Sequence, residues 1–189
     1  MIVPRARGAW QHGEMSISKG LDKVEVALRW DPSPVGAADH DLDVIAAVYP
    51  AVAPYGPPAY LVHFDSRSPD GTIYLSRDST TGQGLGYDEA LTIEFARQPD
   101  DHARVVVGVV IQQHAGRLVF ADIAAPGVRI REGYTVLAEH DFSAVAGSTA
   151  AVVAEFVRAE SGVWEFHPCL RGFDLDPDAF SVAMGARVA

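Results

Sequence analysis

The chain is predicted to be all-β, folded as a two-sheet β-sandwich with few short helices. Segments alternate between apolar and polar residues with a period of two, β-branched side chains dominate them, and Gly or Pro punctuates the intervals. Long helical periodicity is absent. Two packed sheets can bury that many inward faces.

Taken in order, the run from Val24 to Trp30 sends Val24, Val26, Leu28 and Trp30 to one face and reads as a half-buried strand. In residues 41–49 both faces turn apolar beyond Asp43, with Leu42, Val44 and Ala46 on one and Ile45 and Ala47 on the other, which predicts an interior strand. Tyr60 to Phe64 leads through Ser68-Pro69-Asp70-Gly71 into Thr72 to Leu75; the Pro-Asp-Gly order is a turn signal, so a hairpin or a short connection is expected. A glycine-rich run, Thr81 to Gly86, precedes a strand in which Leu91, Ile93 and Phe95 alternate with Thr92 and Glu94. Val105 to Ile111 is nearly all β-branched and reads as a central strand. Further strands are expected over 118–123, 127–131, 134–140, 150–158 and 163–167. Asp174 to Met184 is the helix candidate, with Pro177 near its start, where a missing N–H costs little.

A length of 189 residues suits one domain, placed at 15–189. Residues 1–14 lack periodicity and read as a loose extension, with Met15 an alternative start. Apolar residues make up 48% of the sequence and are spread along it, which excludes a disordered composition. Fifteen Lys and Arg against 25 Asp and Glu leave a formal charge of −10, which disfavours nucleic acid and anionic lipid and favours cations. The single cysteine, Cys169, can form no internal disulfide or Cys-rich zinc site, and its Pro-Cys-Leu setting reads as a buried small hydrophobe. No apolar run is long enough to insert in a membrane and no leader pattern is evident, so a cytoplasmic location is expected.

Asp39, Asp41 and Asp43 alternate, so in extended chain their carboxylates share a side, about 7 Å apart. Solvation at a sheet end would relieve their repulsion, and so would a divalent cation, since calcium takes about six to eight oxygen ligands. The spacing is not an EF-hand, because Val44 stands where that loop needs Gly and Pro50 where it needs Glu. A second acidic group comprises Asp78, then Gly82, Gly84 and Gly86, then Asp88 and Glu89. Glycines let backbone carbonyls turn inward while the flanking carboxylates bring charge, so this loop can wrap a cation. With no Lys inside it and a negative surround, phosphate binding is disfavoured. The acids at Asp174, Asp176 and Asp178 read as a helix N-terminal charge cluster.

Several segments, in this order, resemble the TerD family of tellurium-resistance and stress-response proteins: Ser18-Lys19-Gly20, Val26 to Asp31 (VALRWD), Asp41-Leu42-Asp43, Ser68-Pro69-Asp70-Gly71, the loop from Asp78 to Glu89, Ala154 to Arg158, Gly162 to Phe166, and Gly172-Phe173. The resemblance covers roughly residues 16–173. It implies a two-sheet sandwich that binds calcium through the Asp-Leu-Asp strand and the acidic glycine loop, with a cytoplasmic stress role near membrane-associated resistance complexes. The implied ligand set is Asp41, Asp43, Asp78, Gly82, Gly84, Asp88 and Glu89. The family loop reads much like GDNLTGEGDGDDE, whereas this chain carries Gln83, Leu85 and Tyr87 at three of its acidic positions. One calcium ion is therefore expected more readily than two, and a metal-free interaction scaffold is the alternative.

Catalysis is not expected. The histidines are scattered without a zinc-pair spacing, and no Gly-x-Ser-x-Gly elbow occurs. Trp30 and Trp164 fit strand cores better than ligand cages.

Overall fold

The computed structural model describes residues 20–114 and 116–187; the extension at 1–14 and Met15 lie outside these. Ten strands build the fold: β1 (Lys23–Arg29), β2 (Leu42–Pro50), β3 (Tyr60–Val62), β4 (Ile73–Arg77), β5 (Glu89–Glu94), β6 (His102–Ile111), β7 (Gly127–Glu132), β8 (Thr135–His140), β9 (Ala150–Arg158) and β10 (Trp164–Phe173). A first sheet runs β4-β5-β1-β7-β8 and a second β10-β9-β6-β2-β3, with every neighbouring pair antiparallel. The predicted all-β sandwich is the observed fold.

Register explains the core. In the first sheet Val26 stands opposite Leu91 on one side and Ile130 on the other. In the second, Val107 stands between Ala46 and Ala154. These rows face each other in one cluster with Val24, Leu28, Trp30, Phe95, Phe156 and Trp164. β2 is apolar on both faces because its other face is also covered. Ile45, Ala47 and Tyr49 join Val106, Val110, Ala150 and Val152 under the helix α1 (Pro177–Ala183), which supplies Phe180. Asp176 caps that helix, accepting from the Ala179 N–H at 2.8 Å, and Pro177 occupies its first turn.

One expectation gives way. Residues 118–123 form no strand: Phe120–Asp122 is a 3-10 turn. Its buried Phe120 stacks on Phe142 with ring centroids 4.2 Å apart, and Asp122 accepts from the Val119 N–H at 3.0 Å. An aromatic anchor and a local polar loop outweigh the strand tendency of this apolar run. Of the two forms expected for the Ser68-Pro69-Asp70-Gly71 segment, the connection is the one observed: β3 pairs with β2 and β4 with β5, so it carries the chain from one sheet to the other. Cys169 is half-buried against the outer layer under α1, and burial pushes its thiol up to about 11.

Candidate metal centre

The site begins with a charge in a core position. Inward residues of β5 alternate as Leu91 and Ile93, and the same parity places Glu89 at the strand's first residue, opposite Leu28 of β1. Glu89 has no exposed surface. One carboxylate oxygen accepts from the Val44 N–H of β2 at 2.8 Å, tying the first sheet to the second, while Oε1 is buried without a partner. A buried oxygen left without a donor is costly, which marks a place for a proton or a cation.

Asp43, one residue before Val44, is 5% exposed and accepts from the Gln112 side chain at the end of β6. Asp78 lies just beyond β4 and is itself exposed. Asp43, Asp78 and Glu89 each bring one oxygen within 4.8 Å of the others, the only such acidic or metal-ligating group among the described residues. Burial pushes Glu89 up to about 10, against the opposing pull of the Val44 N–H; the charges of Asp43 and Asp78 push it the same way as burial. Burial also raises Asp43, although Gln112 counters it. Asp41, half-buried beside the group, is raised to about 6, first by burial and then by Asp43; its Oδ1 has no partner. Three converging carboxylates, with orphaned oxygens at Glu89 and Asp41, fit a hard cation that takes oxygen ligands.

The other expected ligands stand differently. The Asp88 carboxylate accepts from the Trp30 N–H at 3.0 Å and is buried, so it serves to close the end of β1. Gly82 takes φ +64° with its backbone packed on Trp30, where an added Cβ would lie 2.5 Å from the indole Nε1. Trp30 in turn donates to the His40 carbonyl at 2.9 Å, so the glycine loop and the Asp39–Asp41 approach to β2 meet on one indole. Gly84 lies further out in an exposed stretch with Gln83, Leu85 and Gly86. Gln112 was not singled out by the sequence. It follows a strand of β-branched residues with no motif around it, and only the β2–β6 register brings it to Asp43.

The comparisons with known proteins agree with this architecture. The TerD domain model matches residues 11–178. A solved protein of unknown function, SAV2460, is 58% identical with a TM-score of 0.88, covering 90% of this chain and all of its own. A second structure, SCO6318 from Streptomyces coelicolor A3(2), described as a homologue of telluride resistance protein (TerD), is 51% identical with a TM-score of 0.88 over 89% of this chain and all of its own. Tellurium resistance protein TerD of Alcaligenes sp is 27% identical over 168 residues, 85% of this chain and 88% of that protein. With the family model spanning most of its length and relatives sharing both fold and sequence, this chain belongs to the TerD family.

Proposed function

We propose that this protein is a non-enzymatic calcium-binding module of the tellurium-resistance and stress-response type, taking one ion between its two sheets. The observation that carries this reading is the convergence of Asp43, Asp78 and Glu89 within 4.8 Å, with the Glu89 carboxylate inside the fold. These side chains come from both sheets and from the loop start, so an ion held by them would join the sheets. Calcium supplies positive charge that three neighbouring carboxylates need in order to ionise together. Asp41 beside them and the carbonyls of the glycine loop complete the oxygen supply in this reading.

Isothermal titration of calcium into the chelator-treated protein tests it. The wild type is expected to bind one ion, and Glu89→Gln, which keeps the shape and removes the charge, is expected to lose the binding heat. A flat titration of the wild type at millimolar calcium would overturn the reading.

The alternative is a metal-free interaction scaffold with a degenerate site. It is favoured by the raised Glu89: a protonated Glu89 could donate to Asp43 or Asp78 and satisfy the group without an ion. In that case chelator leaves the melting temperature unchanged. Other stress-response or membrane-associated proteins in the cytoplasm are the partners envisaged in both readings.

A further inference from the structure

We propose that a cavity on the flank of the first sheet, outside the carboxylate group, binds a small organic acid through Arg29 and Arg129. The cavity has a volume of about 510 Å³ and opens between the ends of β1, β7 and β8 and the Leu170 region of β10. That size suits a small organic molecule better than a bare ion.

The strand register builds the cationic side. Arg29 of β1 stands opposite Gly127 of β7, and Arg129, two residues on, stands opposite Ala27. Gly127 makes room: a Cβ there would lie 3.3 Å from the Arg29 Nε, so the arginine lies directly along the strand backbone. The Arg129 guanidinium lies over the Tyr87 ring, 4.5 Å from its centroid, a cation–π contact that helps hold it in place.

In a chain of charge −10, arginines find acids easily. Arg104, Arg117, Arg131 and Arg158 all do so. Arg29 and Arg129 make no ion pair among the described residues, although Glu139 and Asp141 also line the cavity. Asp141 is engaged elsewhere, accepting from the Ser143 N–H at 3.0 Å and hydroxyl at 2.7 Å. The Arg129 Nε and the His140 Nε2 are buried without hydrogen-bond partners, and both residues line the cavity. The Arg129 Nε–H needs an acceptor, as does His140 Nε2 when it carries the ring proton, and an oxyanion between the arginines supplies acceptors.

The remaining walls define the rest of the ligand. Tyr87, Pro126, Ala144 and Leu170 offer aromatic and aliphatic surface. Glu139 stands opposite Arg129 across β7 and β8 without an ion pair to it, and its charge beside the arginine disfavours multiply charged molecules. The ligand class is therefore a small molecule carrying one carboxylate or phosphoryl group on an apolar or aromatic body. The site does not rest on the calcium reading, since none of Asp43, Asp78 and Glu89 lines the cavity.

The test is binding of benzoate, phenyl phosphate, acetate and inorganic phosphate, followed by calorimetry and by the side-chain NMR signals of Arg29 and Arg129. It is run in calcium-free buffer, and repeated with calcium for the two carboxylates. Benzoate or phenyl phosphate is expected to bind more tightly than its simple counterpart, because the apolar walls add contact. The tighter of these two identifies the headgroup. Arg129→Gln is expected to lose roughly tenfold or more in affinity, the loss of a charge-assisted bidentate contact, while melting as a folded protein. Arg117→Gln, on an exposed ion pair that does not line the cavity, should bind as the wild type does. Absence of binding by all four probes without calcium and by both carboxylates with it overturns the proposal, as does binding that Arg129→Gln and Arg29→Gln leave unchanged. If calcium titration fails while benzoate still binds, the calcium reading falls and this one stands.

Discussion

At Glu89 the folded protein holds a carboxyl group in a place built for a neutral group or a neutralised one. Its folded value, raised to about 10 from an ordinary 4.5, means that the folded state keeps a proton the unfolded chain releases. That linkage stabilises the metal-free fold fully below the unfolded value, and the stabilisation is lost as pH rises toward the folded value. In chelator, the urea midpoint is therefore expected to fall steadily between pH 6 and pH 9, and Glu89→Gln, which cannot ionise, is expected to flatten the decline. Calcium should flatten it too, by taking the place of the proton. Asp88 makes the contrasting case. Its carboxylate accepts from a buried backbone N–H at Trp30, so Asp88→Ala leaves that donor unpaired, at a cost of about 1–3 kcal/mol. Equilibrium denaturation should show this loss equally in calcium and in chelator. A loss confined to calcium buffer would make Asp88 a ligand instead.

Among the elements, the connection from β3 to β4 is held by one side chain. Asp70 accepts from the Thr72 N–H at 2.8 Å, the Thr72 hydroxyl at 2.6 Å, the Tyr60 hydroxyl at 2.7 Å and the Ser68 hydroxyl. Burial works to raise this carboxyl, yet the hydrogen bonds outweigh it and hold Asp70 at about 2. Thr72 passes the chain on to Gln98 at 2.7 Å, and Gln98 meets the buried His102 at 2.8 Å. Asp70→Ala strips acceptors from several donors at once and is expected to destabilise the fold by roughly 2–4 kcal/mol, read by urea denaturation. At α1 the scale is smaller: Asp176→Ala removes a single cap and should cost about 1 kcal/mol, with faster amide exchange confined to the helix.

These elements also show what a sequence reveals. β1 was legible because a buried face leaves a period-two trace in one dimension, and β6 because a run of β-branched residues marks a strand buried on both faces. The Pro-Asp-Gly turn was legible as a turn, but which sheet each flanking strand joins depends on long-range pairing that no local pattern encodes. Residues 118–123 form a mostly apolar run that suits a strand, yet Phe120 is buried by stacking on Phe142, a partner more than twenty residues away. The same limit holds at the site. Acidic spacing and glycine placement pointed to Asp43, Asp78 and Glu89, whereas the division of labour between Glu89 and its neighbour Asp88 follows from strand parity at β5. Leu91 and Ile93 set that parity, and it turns Glu89 inward.

At the scale of the whole molecule, the carboxylate group sits where the two sheets meet. Glu89 of the first sheet already reaches the Val44 N–H of the second, and Asp43 adjoins it. An ion bound there acts as a crosslink between layers that must separate when the protein unfolds. At free calcium of about 100 times Kd, one ion that binds only the folded state adds about 2.7 kcal/mol, and for a chain of this size each kcal/mol moves the melting temperature by roughly 2–4 °C. A rise of roughly 5–10 °C over the chelated protein is expected by scanning calorimetry. Because the ion must leave before the sheets part, most of this gain should appear as slower unfolding, with refolding little changed. Stopped-flow unfolding in urea, with and without calcium, separates the two arms. An effect confined to refolding would instead mean that the carboxylates gather before the sheets pack.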